Sequence, residues 1–153
     1  MIILSDIYEH LNRHKILYEL LKEREPHQFI SHRVMPSFEE HVKFIEERNP
    51  KLGPPMKAYK SWEFILKPPV PDGVCIVGSI CVTNNSEVGI FIFKDYRGNG
   101  YGKDALKQVI ERNKIGLEGK LIANISPQNT DSIRFFNKFG FKHIQNTYEL
   151  LFL

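Results

Sequence analysis

The chain has 153 residues, 42% hydrophobic and 25% charged, which is the composition of one compact domain with its own core and leaves no length for a second. A net charge of +3 and a pI near 8.8, without any dense block of Lys and Arg, exclude a nucleic-acid or membrane-surface footprint and suit a small polyanionic ligand. No apolar run approaches the roughly 18 residues of a membrane span, and the run Met1 to Leu4 lacks the basic flank of a secretory signal.

Residues 1–8 are expected to form a first strand, and Asn12 to cap a helix reaching about Arg24, with Ile16, Leu17, Leu20 and Leu21 on one face. A loop carrying His27, His32 and Arg33 leads to a second helix. Ser37 and Glu40 announce that helix as a capping box, and Phe38, Val42 and Ile45 are its packing residues. After a Pro- and Gly-rich loop at 49–55, Trp62, Phe64 and Leu66 mark a strand. Beyond the turn at 68–73, Val74 to Val82 reads as a long buried strand, Asn84-Asn85 as a hairpin turn, and Glu87 to Phe93 as the antiparallel partner. Ala105, Leu106, Val109 and Ile110 define a third helix ending near Gly116. Residues 120–125 follow as a strand, Asn129 to Phe139 as a helix closed by Gly140, and 141–152 as two last strands around Gln145-Asn146-Thr147. Cys75 and Cys81, six residues apart in one strand-like stretch, would lie about 20 Å apart when extended at roughly 3.3 Å per residue, so they cannot pair. They are read as buried free thiols of a reducing cytoplasm, and their spacing binds no metal.

The most informative segment is Arg97-Gly98-Asn99-Gly100-Tyr101-Gly102, set between a strand and a helix. Its three glycines let main chain approach a ligand closely, and the helix behind points unpaired N–H groups and its positive dipole end at the same spot. A pyrophosphate belongs there. A Walker loop would need glycine five residues before Gly102, where Arg97 stands, and Ser or Thr after Lys103, where Asp104 stands. The dinucleotide fingerprint would need its third glycine at Lys103. Nucleoside triphosphates and NAD are both disfavoured.

Arg-Gly-x-Gly-x-Gly between strand and helix resembles the pyrophosphate loop of the GNAT superfamily of acyl-CoA-dependent N-acetyltransferases. A second block, Asn129-Thr-Asp-Ser132-Ile-Arg-Phe-Phe136-Asn-Lys-Phe-Gly140-Phe141, is similar to that family's other signature at matching spacing. Together the two cover about residues 86–145. The resemblance implies a single α/β domain over 1–153, with a mixed, mostly antiparallel sheet of about seven strands and about four helices. It implies that strands 87–93 and 120–126 run parallel and splay apart to admit a pantetheine arm, helped by Pro127.

For the site, the resemblance implies acetyl-CoA as co-substrate, with no metal. Main chain around Phe91, Ile92 and Phe93 would hold the pantetheine, and Arg97, Gly98, Asn99, Gly100, Tyr101 and Gly102 the pyrophosphate. Lys103 or Lys138 would meet phosphate charge, Asn129 would bond the arm or simply cap its helix, and Phe136 would wall the coenzyme. Glu87, ten residues before Arg97, is the expected general base, because an ammonium must lose a proton before it attacks. The family's usual tyrosine acid is replaced by Phe136, which leaves Tyr148, Tyr101 or water as donor, or no acid at all for a thiol of pKa near ~8.5. His32 and Arg33 are the expected acceptor contacts. The acceptor itself is a small-molecule primary amine, first an amino sugar or sugar nucleotide because those two side chains suit a phosphate, and next a protein N-terminus or lysine. A catalytically weak acyl-CoA-binding module is the alternative that Phe136 raises. The resemblance also implies a homodimer through the last strands.

Overall fold

Alternating apolar residues build a four-stranded antiparallel sheet whose spatial order follows the chain: β1 (Ile3–Asp6), β2 (Ser61–Lys67), β3 (Cys75–Val82) and β4 (Val88–Ile92). The computed structural model describes residues 1–25, 28, 34–68, 73–115 and 119–152. Among the described residues four α-helices accompany the sheet: α1 (Arg13–Lys22), α2 (Phe38–Glu47), α3 (Tyr101–Ile115) and α4 (Thr130–Lys138). Among the described residues no helix is long and apolar enough to cross a membrane.

Strand alternation sorts the core into two layers. Trp62, Phe64, Leu66, Ile76, Phe91 and Phe93 face a cluster centred on Ile7, Leu17, Leu20 and Ile45, the layer of α1 and α2. Ile65, Val77, Ile80, Val82 and Val88 face Ala105, Leu106, Val109 and Phe136, the layer of α3 and α4. Neighbours Phe64 and Ile65 are therefore both fully buried, one on each face, as a sheet covered on both sides requires. Each such side chain contributes about 1.5–3 kcal/mol of burial. A register shift between Ile65 and Leu66 marks a bulge in the β2–β3 ladder.

Local chemistry sets the helix ends. The Ser37 capping box forms as expected: the Glu40 N–H donates to Ser37 Oγ at 3.1 Å and the Ser37 N–H to Glu40 Oε1 at 3.2 Å. Asn129 caps α4 by accepting from the Ser132 N–H. Gly140, at φ +89°, closes α4 in a Schellman turn in which the Phe141 N–H reaches the Phe136 carbonyl. The inward residues of α2 differ from expectation. Phe38 is 45% exposed, and His41, at 8%, takes an inner position beside Ile45, packed against the Tyr18 ring at 5.4 Å. Phe38 instead stacks edge-on to Tyr18 from outside, 5.3 Å away.

The two ends of α1 and α2 are tied by charge. Glu46 accepts from Arg13 Nε at 2.8 Å and pairs with His14 Nε2 at 2.6 Å, and Tyr8 donates its hydroxyl to the Ile45 carbonyl at 2.8 Å. Burial alone would raise the Glu46 carboxyl, but hydrogen bonds from Arg13, His14 and Asn49 outweigh it and hold the group below the ordinary carboxylate range. His41 is shifted down, chiefly by burial and then by the nearby His14.

The expected count of about seven strands is corrected to four among the described residues. Segment 120–125 meets the sheet at a single parallel rung, Glu87 opposite Ile122, and past Phe141, which packs on Phe136, residues 142–152 are exposed and join no strand among the described residues. Apolar alternation only makes a segment able to be a strand; it becomes one when a second backbone takes its hydrogen bonds. With 120–125 held at one rung, no continuous edge is offered for 141–152 to pair along. Cys75 and Cys81 are free, as expected, though half-buried rather than fully so.

Candidate functional site

The outer edge of β4 is open along most of its length. Thr83 donates to the Glu87 carbonyl and Phe93 to that of Val77, both at 2.9 Å, so odd-numbered residues of this strand turn their main chain toward β3. Even-numbered residues turn theirs outward. The Val88 N–H donates to the Ile122 carbonyl, and the Ile122 N–H to the Ser86 carbonyl, each at 2.8 Å. Beyond that rung no hydrogen bond joins Ile90 or Ile92 to residues 123–126 among the described residues. Two parallel segments thus touch at one end and part toward the other, leaving the amides of Ile90 and Ile92 facing the gap. Phe91 and Phe93, expected beside Ile92 as main-chain contacts, spend their backbone groups on β3. Ile90 was missed, although the parity of an antiparallel strand is itself a signal for it.

The gap opens onto the glycine loop. A short 3-10 turn, Lys94–Tyr96, carries the chain round, and Arg97 folds back to donate Nε to the Ile92 carbonyl at 3.0 Å. Gly98 and Gly100 have φ of +79° and +82°, a region where an L side chain is strained. A Cβ built on either meets nothing within 4 Å, so the requirement is conformational and the space above them is open. Asn99 steadies the turn by donating its amide to the Tyr96 and Arg97 carbonyls. Asp104 donates to the Gly100 carbonyl to start α3. Among the described residues no protein acceptor meets the N–H groups of residues 98–103, so they and the helix dipole converge on open space. A Cβ added at Gly102 would meet the Ile90 and Ile92 side chains at 3.6–3.8 Å, ordinary contact, so the first turn of α3 lies over β4. Tyr101 is half-buried against the core, and Lys103 is exposed.

Other expected site residues are distributed unevenly. Glu87 stands at the closed end of the gap, about 17 Å from the loop end of β4 for five residues at roughly 3.3 Å each. By alternation it shares the α1/α2 face with Phe91 and Phe93. Its neighbour on that face, Cys81, has its thiol pushed up to about 11, by burial first; a hydrogen bond from the Gly89 backbone works against this and the Glu87 charge adds to it. Asn129 spends its oxygen on the α4 cap and keeps its NH2 group as a donor. Phe136 is 8% exposed and lies in the core, edge-on to Phe135 and Phe141 at 5.2 and 5.1 Å, so it presents little surface to any ligand. Tyr148 is 88% exposed on the C-terminal segment beyond the sheet, and among the described residues no contact joins it to these groups. His32 and Arg33 lie outside the described residues.

Comparison with known proteins bears on this arrangement. Residues 7–142 match the family described as acetyltransferase (GNAT) domain. A peptidyl-lysine N-acetyltransferase, YjaB of Salmonella typhimurium, is 33% identical over 66 residues, 43% of this chain and 42% of that relative, so the match spans less than half the relative's length. Among solved structures, a ribosomal-protein-alanine N-acetyltransferase from Brucella melitensis superposes with TM-score 0.62 at 18% identity, over 95% of this chain and 86% of its own. The structure of yncA from Salmonella typhimurium with its cofactor acetyl-CoA superposes with TM-score 0.59 at 16% identity, over 92% and 78%. At such identities the structural likenesses show the fold alone.

Proposed function

From its membership of the GNAT acetyltransferase family, to which the chain belongs, we propose that this protein transfers an acetyl group from acetyl-CoA directly to a primary amine. The observation that carries the reading is the one-sided gap in the sheet, closed at Glu87 and open at a loop of unpaired N–H groups. The residues present fit the donor. N–H groups of 98–103 and the α3 dipole would take the pyrophosphate, with Arg97 and Lys103 adding charge, while the amides of Ile90 and Ile92 and the NH2 group of Asn129 would bond the arm. The bound thioester supplies the acyl group.

Glu87, at the acyl end, takes the proton that the ammonium must lose, directly or through one water. Outward N–H groups of β4 stabilise the charge that develops on the acyl oxygen. Since Phe136 offers no hydroxyl, the leaving thiolate takes its proton from water or departs unprotonated, which its pKa near ~8.5 allows.

For the acceptor we favour a lysine side chain of a protein, supported by the peptidyl-lysine activity named for the Salmonella relative. The amino-sugar expectation rested on His32 and Arg33 and keeps only that sequence argument. Thiol release from acetyl-CoA is to be measured across lysine peptides, N-terminal peptides, amino sugars, sugar-nucleotide amines and polyamines, with Glu87→Gln as control. Release with a lysine peptide that Glu87→Gln weakens supports the reading. Release only with amino sugars restores the first expectation, and binding of acetyl-CoA without release to any amine favours the weak binding module that Phe136 raises.

A further inference from the structure

Lys60 immediately precedes β2, is exposed, and donates Nζ to Ser86 Oγ at 2.8 Å. Ser86 is the residue whose carbonyl accepts from the Ile122 N–H, so it forms the rung that closes the gap. Ser61, Val82 and Val88 pair across three strands, and the next row out is Lys60, Thr83, Glu87, with the Thr83 N–H on the Glu87 carbonyl. Alternation puts Lys60 and Glu87 on the same face as Trp62 and Phe91. Two strand spacings separate their backbones, about 10 Å, a span that a lysine and a glutamate side chain bridge between them. The ammonium therefore rests one residue from Glu87, at the end of the gap where the acyl carbon lies on the reading above.

Resting on that reading, we propose that Lys60 is a self-acetylation site. Glu87 accepts one proton from the Lys60 ammonium, Nζ attacks the thioester carbonyl, the C–N bond forms as the C–S bond breaks, and the second proton shed by the nitrogen passes through water to the departing sulfur, which leaves as the thiol of CoA. The product exchanges an ammonium with three donors for a neutral amide with one N–H, removing a positive charge from beside Glu87. Ser86 is 3% exposed and held at φ +65°, so a change in its Lys60 contact is felt at the turn that positions Glu87.

The test is incubation of the purified chain with acetyl-CoA and no added amine, followed by peptide mass mapping of the time course. Lys60 is expected to gain one acetyl group at least about tenfold faster than the exposed Lys51 and Lys57, at a rate independent of protein concentration, because its amine is held at the donor. Glu87→Gln should slow Lys60 and leave Lys51 and Lys57 unchanged. Lys60→Arg should abolish the fast phase while acetylation of an external amine persists. Labelling of Lys60 no faster than of Lys51 and Lys57, or labelling that scales with protein concentration, overturns the proposal. External amines acetylated with Lys60 unlabelled defeats the inference and spares the function; absence of acetyl-CoA binding in a separate titration defeats both.

Discussion

Replacing Gly100 by Ala isolates the conformational demand of the glycine loop. Because a Cβ there touches nothing within 4 Å, the substitution adds no clash, and its cost is that of holding an L residue at φ +82°. That cost is about 1–2 kcal/mol, which for a chain of this size lowers Tm by about 2–8 °C. If the loop instead relaxes to negative φ, the N–H groups of Gly100 and Tyr101 swing away from the common focus. Each main-chain bond to a phosphate oxygen is worth about 1.5–3 kcal/mol, so losing one weakens acetyl-CoA binding roughly tenfold to a hundredfold. Gly140→Ala supplies the control: its φ is +89°, its Cβ would also meet nothing, and it lies at the far end of α4 from Asn129. Titration calorimetry with acetyl-CoA, beside thermal unfolding of the free proteins, separates the two effects. Both variants should lose comparable stability and only Gly100→Ala should lose affinity. An unchanged Kd in Gly100→Ala, or an equal loss in Gly140→Ala, would refute the cradle.

Glu87→Gln should lower kcat of amine acetylation more at neutral than at alkaline pH, because at high pH the amine arrives unprotonated and needs no base; a pH-rate profile parallel to that of wild type removes Glu87 from proton transfer. Gly78→Ala should cost about 3 kcal/mol in urea denaturation, since its Cβ would lie 2.1 Å from the Phe91 carbonyl oxygen and force β3 from β4; wild-type stability would show that the ladder yields easily. His41 has its folded pKa below the unfolded value, so the unfolded chain binds the extra proton first, and stability present above about pH 6.5 is lost as pH falls toward the folded pKa. His41→Gln should flatten that part of the stability profile, and an unchanged slope would assign it to other groups.

Much of the site was legible because its requirements are local. A capping box needs two side chains three residues apart, a Schellman turn needs a glycine after an amphipathic run, and left-handed turns need residues such as Gly98 and Gly100; each is written within a few positions. The Asn84-Asn85 turn was visible for the same reason, although the left-handed residue proved to be Ser86 at φ +65°. Less legible were choices between equivalent apolar residues. Nothing within α2 makes Phe38 more exposed than His41; that depends on where Tyr18 of α1 meets it.

Sequence by itself thus determined the helices and their ends, the four strands, and the loop whose backbone only glycine adopts freely, all from chemistry contained in a short stretch. Tertiary structure alone decided which strand edges pair. Whether 120–125 continues the sheet or leaves it after Ile122, and so whether Ile90 and Ile92 face a partner or a gap, depends on a second backbone about thirty residues away. Strand periodicity names the face of a side chain but does not name the neighbour of a main-chain amide, and in this protein the candidate site is made of amides left without one.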